Sequence, residues 1–92
     1  MFEYAITKTV GHGGLVGTET EICAENSRRA SFRLQVLDDG VLYCAIGSTA
    51  ETGKGIMVDA DHPLEIQVPV VGSVHVVPGT GEVLYCAAEG LC

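Results

Sequence analysis

Apolar and polar residues alternate with a period of two along most of this chain, in short runs. Phe2, Tyr4 and Ile6 alternate with Glu3, Ala5 and Thr7, which predicts a half-buried strand. "VGHGGLVG" follows, and its four glycines predict a mobile loop or an arm rather than a packed element. Alternation resumes from Thr18 to Ala24, with Ile22 and Ala24 expected to face inward and Glu19 and Glu21 outward. Ser31 to Leu37 carries the clearest strand pattern: Phe32, Leu34 and Val36 share one face, Arg33 and Gln35 the other. "DDG" then reads as a tight hairpin turn, and "VLYCAIG" as an apolar strand covered on both faces. Beyond the polar loop "STAETGKG", a short strand is expected over Gly55–Asp59, followed by a turn at "DADHP". Leu64, Ile66, Val68 and Val70 alternate again, and Pro69 places that run at a sheet edge or a bend. Ser73 to Val77, the turn "PGTG" and a second "VLYCA" complete the pattern.

No stretch shows a helical period. Seven to eight short strands at regular spacing predict an all-β fold, a small antiparallel β-sandwich or barrel. "VLYCA" occurs at 41–45 and again at 83–87. At an offset of 42, Ser31 matches Ser73, Phe32 matches Val74, Leu34 matches Val76, and polar Arg33 falls on His75. Thr20–Ala24 and Leu64–Val68 precede the two copies, so the chain reads as two related three-strand units. Two copies are too few for a solenoid. A structural repeat predicts that Cys44 and Cys86 occupy comparable, similarly buried places. Residues 1–17 are expected to form an N-terminal strand and a Gly-rich loop or arm, and residues 18–92 the sandwich domain.

At 92 residues with 47% apolar content, the chain suffices for one core. A domain this small buries only about 60–65% of its unfolded surface, so oligomerisation or docking on a larger body would add useful burial. The net charge is −7, with five basic residues. That balance argues against nucleic acid, which is held by Lys and Arg on phosphates, and against anionic membrane surfaces. The start "MFEYAITKTV" has no basic segment followed by an apolar one, so no signal peptide is expected, and no run suits a membrane helix. Synthesis and residence in the cytosol follow, with reduced thiols at Cys23, Cys44, Cys86 and Cys92.

No chemical motif is complete. The cysteines show no C-x2-C spacing, and His12, His62 and His75 show no ligand spacing to one another. Cys44 and Cys86 lack the local cation that activates a thiol, so they read as core residues, whereas terminal Cys92 reads as exposed. The Gly-His-Gly-Gly stretch around His12 holds a metal only if other ligands come near. The three histidines are expected to face solvent or to be hydrogen-bonded rather than catalytic. "GHGGLVG" and "TGKG" lack the lysine or the following helix of a phosphate loop. Asp59 and Asp61 read as a polar turn rather than a calcium loop, and Asp38 and Asp39 as turn formers. No catalytic residue, cofactor or metal is therefore assigned. The informative polar feature is the cluster Arg28, Arg29 and Arg33, which holds three of the five positive charges. Two readings stand: pairing within the chain with a nearby Glu, or an anchor for an acidic partner.

"EICAENSRRASFRLQVLDDGVLYCAIG" resembles a recurrent segment of small structural proteins of tailed bacteriophages, in which an A-x-N-x-x-R turn leads into a strand, a turn and a strand ending at Gly. "TGKGIMVDADHPLEIQVPVVGSVHVVPGTGEVLYCAAEG" is similar to the later part of that pattern, and the resemblance spans about residues 20 to 90. Asn26 and Arg28 match its turn positions, Gly72 its hairpin and Glu89 its terminal acid, all in structural roles. The resemblance implies a non-enzymatic virion protein that decorates or cements an assembled head, as a homo-oligomer, a trimer, bound to the major capsid protein or another virion protein. Tail or fibre accessory proteins, and a small carbohydrate-binding sandwich for host recognition, are the alternatives. Expected contacts are Phe2 and Tyr4 in the N-terminal strand and the Arg28, Arg29 and Arg33 cluster. The implied location is the head surface of a virion made in the host cytoplasm.

Overall fold

A computed structural model describes Ile6 and residues 8–92. The expected contacts Phe2 and Tyr4, and the strand expected at 2–6, lie outside the described residues apart from Ile6, which is exposed. The fold is all-β, as the alternation predicts. Eight antiparallel strands form two four-stranded sheets, and no helix occurs among the described residues. The strands are β1 (Lys8–Val16), β2 (Thr20–Cys23), β3 (Arg29–Val36), β4 (Leu42–Ile46), β5 (Ile56–Val58), β6 (Leu64–Ile66), β7 (Val74–Pro78) and β8 (Val83–Leu91). One sheet has the order β1-β8-β3-β6 and the other β2-β7-β4-β5. The core lies between them. Phe32, Leu34 and Val36 enter it from β3, Leu42 and Cys44 from β4, Val74 and Val76 from β7, and Val83 and Tyr85 from β8.

The order of the sheets reveals a duplication. With β1–β4 as one half and β5–β8 as the other, each strand has its counterpart four strands later. Under that exchange β1-β8-β3-β6 becomes β5-β4-β7-β2, which is the second sheet. The repeat is thus structural, but its unit has four strands rather than three. Each half gives two strands to each sheet, so neither half could bury its apolar faces alone.

Three expectations about this arrangement are corrected. "DDG" does not close a hairpin: β3 and β4 lie in different sheets, and so do β7 and β8. Each of these turns carries the chain across the core. The two "VLYCA" copies do occupy matching interior strands, but they present opposite faces. Leu42 and Cys44 are buried in β4, whereas Val83, Tyr85 and Ala87 are buried in β8 and Cys86 is half-buried on the outer side. The connecting steps explain this. Val36 to Leu42 is an even step and Pro78 to Val83 an odd one, and a one-residue slip turns every side chain of a strand over. Cys44 therefore points into the core and Cys86 out of it.

The third correction concerns the glycine-rich stretch, which forms β1 rather than a loop or arm. It pairs with β8 over its whole length, from Lys8↔Leu91 to Val16↔Val83. Glycine disfavours strands when considered locally, but a ladder of nine residues against an interior strand needs no side chains to form. Bare positions also suit the close approach: a Cβ at Gly13 would sit 3.3 Å from the Tyr85 carbonyl oxygen.

The β3–β4 crossing is tied to β8 by Asp38. Its carboxylate accepts N–H groups from Gly40 and Leu84, each at 2.9 Å. Gly40 packs so closely that a Cβ would lie 2.5 Å from Val83 Cγ2. The hydrogen bond from Leu84, then that from Gly40, holds the Asp38 carboxyl below its ordinary range. A lowered folded-state pKa means stabilisation that is complete above the unfolded pKa and lost as pH falls through the folded one. Asp38→Asn should therefore lower the melting temperature at neutral pH. Its deficit relative to wild type should shrink as pH falls below about 4. Thermal unfolding followed by circular dichroism across that range checks this, and a deficit independent of pH would refute it.

Candidate functional site

The most concentrated polar chemistry lies at one end of the sandwich, around Arg29. Arg29 opens β3 and is only 1% exposed. Its Nε donates to Glu89 Oε1 at 2.7 Å, and Nη2 contacts the same oxygen at 2.7 Å. Nη2 also donates to the Ala24 carbonyl at 2.6 Å, and Nη1 to the carbonyls of Val70 at 2.8 Å and Gly72 at 2.7 Å. A guanidinium has five N–H groups, and four of them are used in these hydrogen bonds. Ala24 follows β2 and Gly72 precedes β7, both in the sheet opposite Arg29. The side chain therefore fastens the two layers together.

Local geometry sends Arg29 inward. Asn26 Oδ1 accepts the Arg28 N–H at 2.9 Å, and the Asn26 carbonyl accepts the Arg29 N–H at 3.2 Å. This Asx-type turn reverses the chain just before β3. A register shift between Arg29 and Ser31 against β8 follows at once. Gly72 is close to both Ile46 and Gly47, where a Cβ would meet atoms at 3.2–3.3 Å, so a side chain would crowd the backbone that lies against the guanidinium.

Glu89 comes from β8 and is 6% exposed. Its second oxygen accepts His12 Nε2 at 2.7 Å. His12 sits opposite Ala87 on β1, and Glu89 lies two residues further along the same face, a diagonal pair that long side chains span. Burial pushes the Glu89 carboxyl up, but the hydrogen bonds from His12 and Arg29 and the Arg29 charge outweigh it, and the net direction is down.

Cys23 approaches this cluster from the other sheet. It is 2% exposed, and desolvation, followed by the Glu89 charge, pushes its thiol up to about 12. Of the two residues expected to face inward there, Ile22 is buried but Ala24 is exposed. A bulge between Glu21 and Cys23 in the pairing with β7 turns both Ile22 and Cys23 into the core and shifts the alternation by one. Donor atoms of His12, Cys23 and Glu89 all lie within 4.8 Å of one another.

The structure separates the three arginines. Arg29 is the intramolecular reading fulfilled, although its partner Glu89 is distant in sequence. It offers nothing to a partner surface, which corrects its assignment as a contact. Arg28 is exposed, and its Nε donates to the Cys92 carbonyl at 2.7 Å. Arg33 is exposed and lies 3.4 Å from Glu65 on β6. The histidines are hydrogen-bonded: His62 to Asp59 at 2.9 Å, and His75 to Glu19 at 2.8 Å. The Ala50 N–H, before His75, holds the Glu19 carboxyl below its usual range. Asp38, Asp39, Asp59 and Asp61 line one shallow hollow, but Asp38 and Asp59 use oxygens on backbone N–H groups there. Cys44 is buried, and desolvation pushes its thiol up to about 11. Sequence reasoning missed the Arg29–Glu89–His12 cluster because its members are far apart along the chain.

No family model matches the chain, and neither the curated proteins nor the solved structures searched yield a match.

Removing one side of a buried, hydrogen-bonded ion pair leaves the other charge unmet, at a cost of about 3–5 kcal/mol. Arg29→Met should lower unfolding stability by that amount, because Glu89 and three carbonyls lose their donors. Arg29→Met combined with Glu89→Leu should recover part of the loss, because neither charge then remains. Urea unfolding of the three proteins checks both expectations.

Proposed function

We propose that this protein is a non-enzymatic structural component of a tailed-bacteriophage virion, a decoration or cement protein that binds and stabilises an assembled head. The observation that carries the reading is β1. It is a nine-residue strand at the edge of its sheet, without Pro and with Lys8 as its one Lys or Arg. The other edge strands, β2, β5 and β6, have four, three and three residues. Natural sheets blunt their edges by shortness, charge or Pro, and β1 uses these devices least. A long edge with no further strand beyond it among the described residues suits addition of a strand from a neighbouring subunit or from the shell.

The polar groups support the same reading. No buried side-chain nitrogen or oxygen among the described residues lacks a hydrogen-bond partner, so the conspicuous cluster at Arg29 is already committed to holding the sheets. The resemblance over residues 20 to 90 supplies the virion context. Trimerisation and attachment to the major capsid protein belong to this proposal. Its contacts are the edge of β1, the residues Phe2 and Tyr4 that precede it in sequence, and the exposed Arg28 and Arg33. A carbohydrate platform is less well supported: Phe32 and Tyr85 are buried, which leaves Tyr43, half-buried, among the described aromatics.

Purified protein should bind mature heads of its phage and raise their melting temperature. Thr9→Pro removes a donor from the outer edge of β1, since Thr9 lies opposite Gly90, whose backbone groups face β3, and should weaken that binding. Binding to isolated tails but not to heads would refute the reading.

A further inference from the structure

We propose that His12, Cys23 and Glu89 form a binding site for a zinc-like divalent transition-metal ion at the seam between the two sheets. The argument stands independently of the virion reading. The three residues bring one imidazole nitrogen, one sulfur and one carboxylate oxygen within 4.8 Å of one another. That mixture of donors suits zinc, which takes Cys, His and Glu in a tetrahedron. With metal–ligand distances near 2.0–2.3 Å, tetrahedral donors lie about 3.3–3.7 Å apart, so closure needs a movement of about 1 Å.

Each donor arrives by a specific local device. The bulge in β2 turns Cys23 inward. The diagonal pairing of β1 with β8 sets His12 beside Glu89. Arg29 holds Glu89 Oε1, which leaves Oε2 facing His12. An outer partner that fixes a ligating carboxylate in this way is a usual feature of metal sites. The nearby guanidinium does not forbid a cation. A thiolate and a carboxylate balance the two charges of the ion, and Arg29 keeps its three carbonyl partners. The His12 side chain is 27% exposed, which gives an ion a path from solvent and water a path to the fourth position.

Binding exchanges protons as well as metal. The Cys23 thiol loses its proton to solvent as the metal–sulfur bond forms. The proton that His12 Nε2 donates to Glu89 Oε2 leaves that contact as the ion enters, passing to Nδ1 or to solvent, and the ring binds as neutral imidazole. No electron is transferred.

Cobalt(II) is the probe, because a cobalt–thiolate bond gives a charge-transfer absorption absent from purely oxygen and nitrogen sites. Reduced full-length protein should take up one equivalent with that band, and zinc should displace it. Cys23→Ser should abolish the band, and Cys92→Ser should leave it intact. His12→Gln, on a half-exposed edge strand, tests the site without relying on a buried replacement. It should weaken binding by about tenfold or more, with unchanged circular dichroism. The proposal is overturned by a wild-type protein without the band, by a band that survives Cys23→Ser or disappears in Cys92→Ser, or by equal affinity of wild type and a folded His12→Gln. None of these results bears on binding to heads.

Discussion

A guanidinium taken out of water must have its charge and its donors met, and that requirement organises one end of this sandwich. Arg29 meets it with one carboxylate from its own sheet and three carbonyls at the ends of the other sheet's strands. The loops after β2 and before β7 are therefore fixed relative to β3 and β8. Net stabilisation from such a pair is modest, since desolvation offsets much of the attraction. Its effect on geometry is larger, because few arrangements of two sheets allow these four hydrogen bonds at once. The duplicated halves differ at this place. At an offset of 42, Arg29 falls on Val71 and Glu89 on Gly47, so the cluster occurs once and breaks the symmetry.

The fold class was legible because strands with one buried face alternate, and β3 and β7 do so clearly. The duplication was legible too, but its unit was underestimated, because glycines hid the strand that opens the first half. β1 is defined by backbone pairing with residues at the far end of the described chain, from Lys8 with Leu91 to Val16 with Val83, and composition carries no trace of that. The crossings between sheets were hidden for a related reason. "DDG" favours a tight reversal, but whether the next strand pairs with its predecessor or crosses the core depends on partners elsewhere. In the repeated "VLYCA", identical residues take opposite faces, since register follows from the connection and not from the strand itself.

The candidate site was less legible still. The arginine cluster drew attention as three neighbouring charges, yet only the middle one is buried, and the Asx turn at Asn26 decides this. Glu89 and Gly72 were singled out by the resemblance and given structural roles, and both prove to be Arg29 partners. His12 was read as needing other ligands nearby, and the structure supplies them from β2 and β8. Cys23 could not be placed, because a bulge of one residue exchanged its orientation with that of Ala24.

The position of β8 has a consequence for how the chain reaches its fold. It is an interior strand, flanked by β1 and β3, and yet it is the last of these eight strands to be synthesised. On a ribosome, β1 and β3 emerge long before the segment that joins them, and their ladder edges stay open until residues 83–91 appear. The first sheet therefore closes only after translation of those residues, and closure entropy over loops of this length slows the search. During that interval the glycine-rich composition of β1 is an advantage, because a segment with few apolar side chains is a poor seed for misassembly.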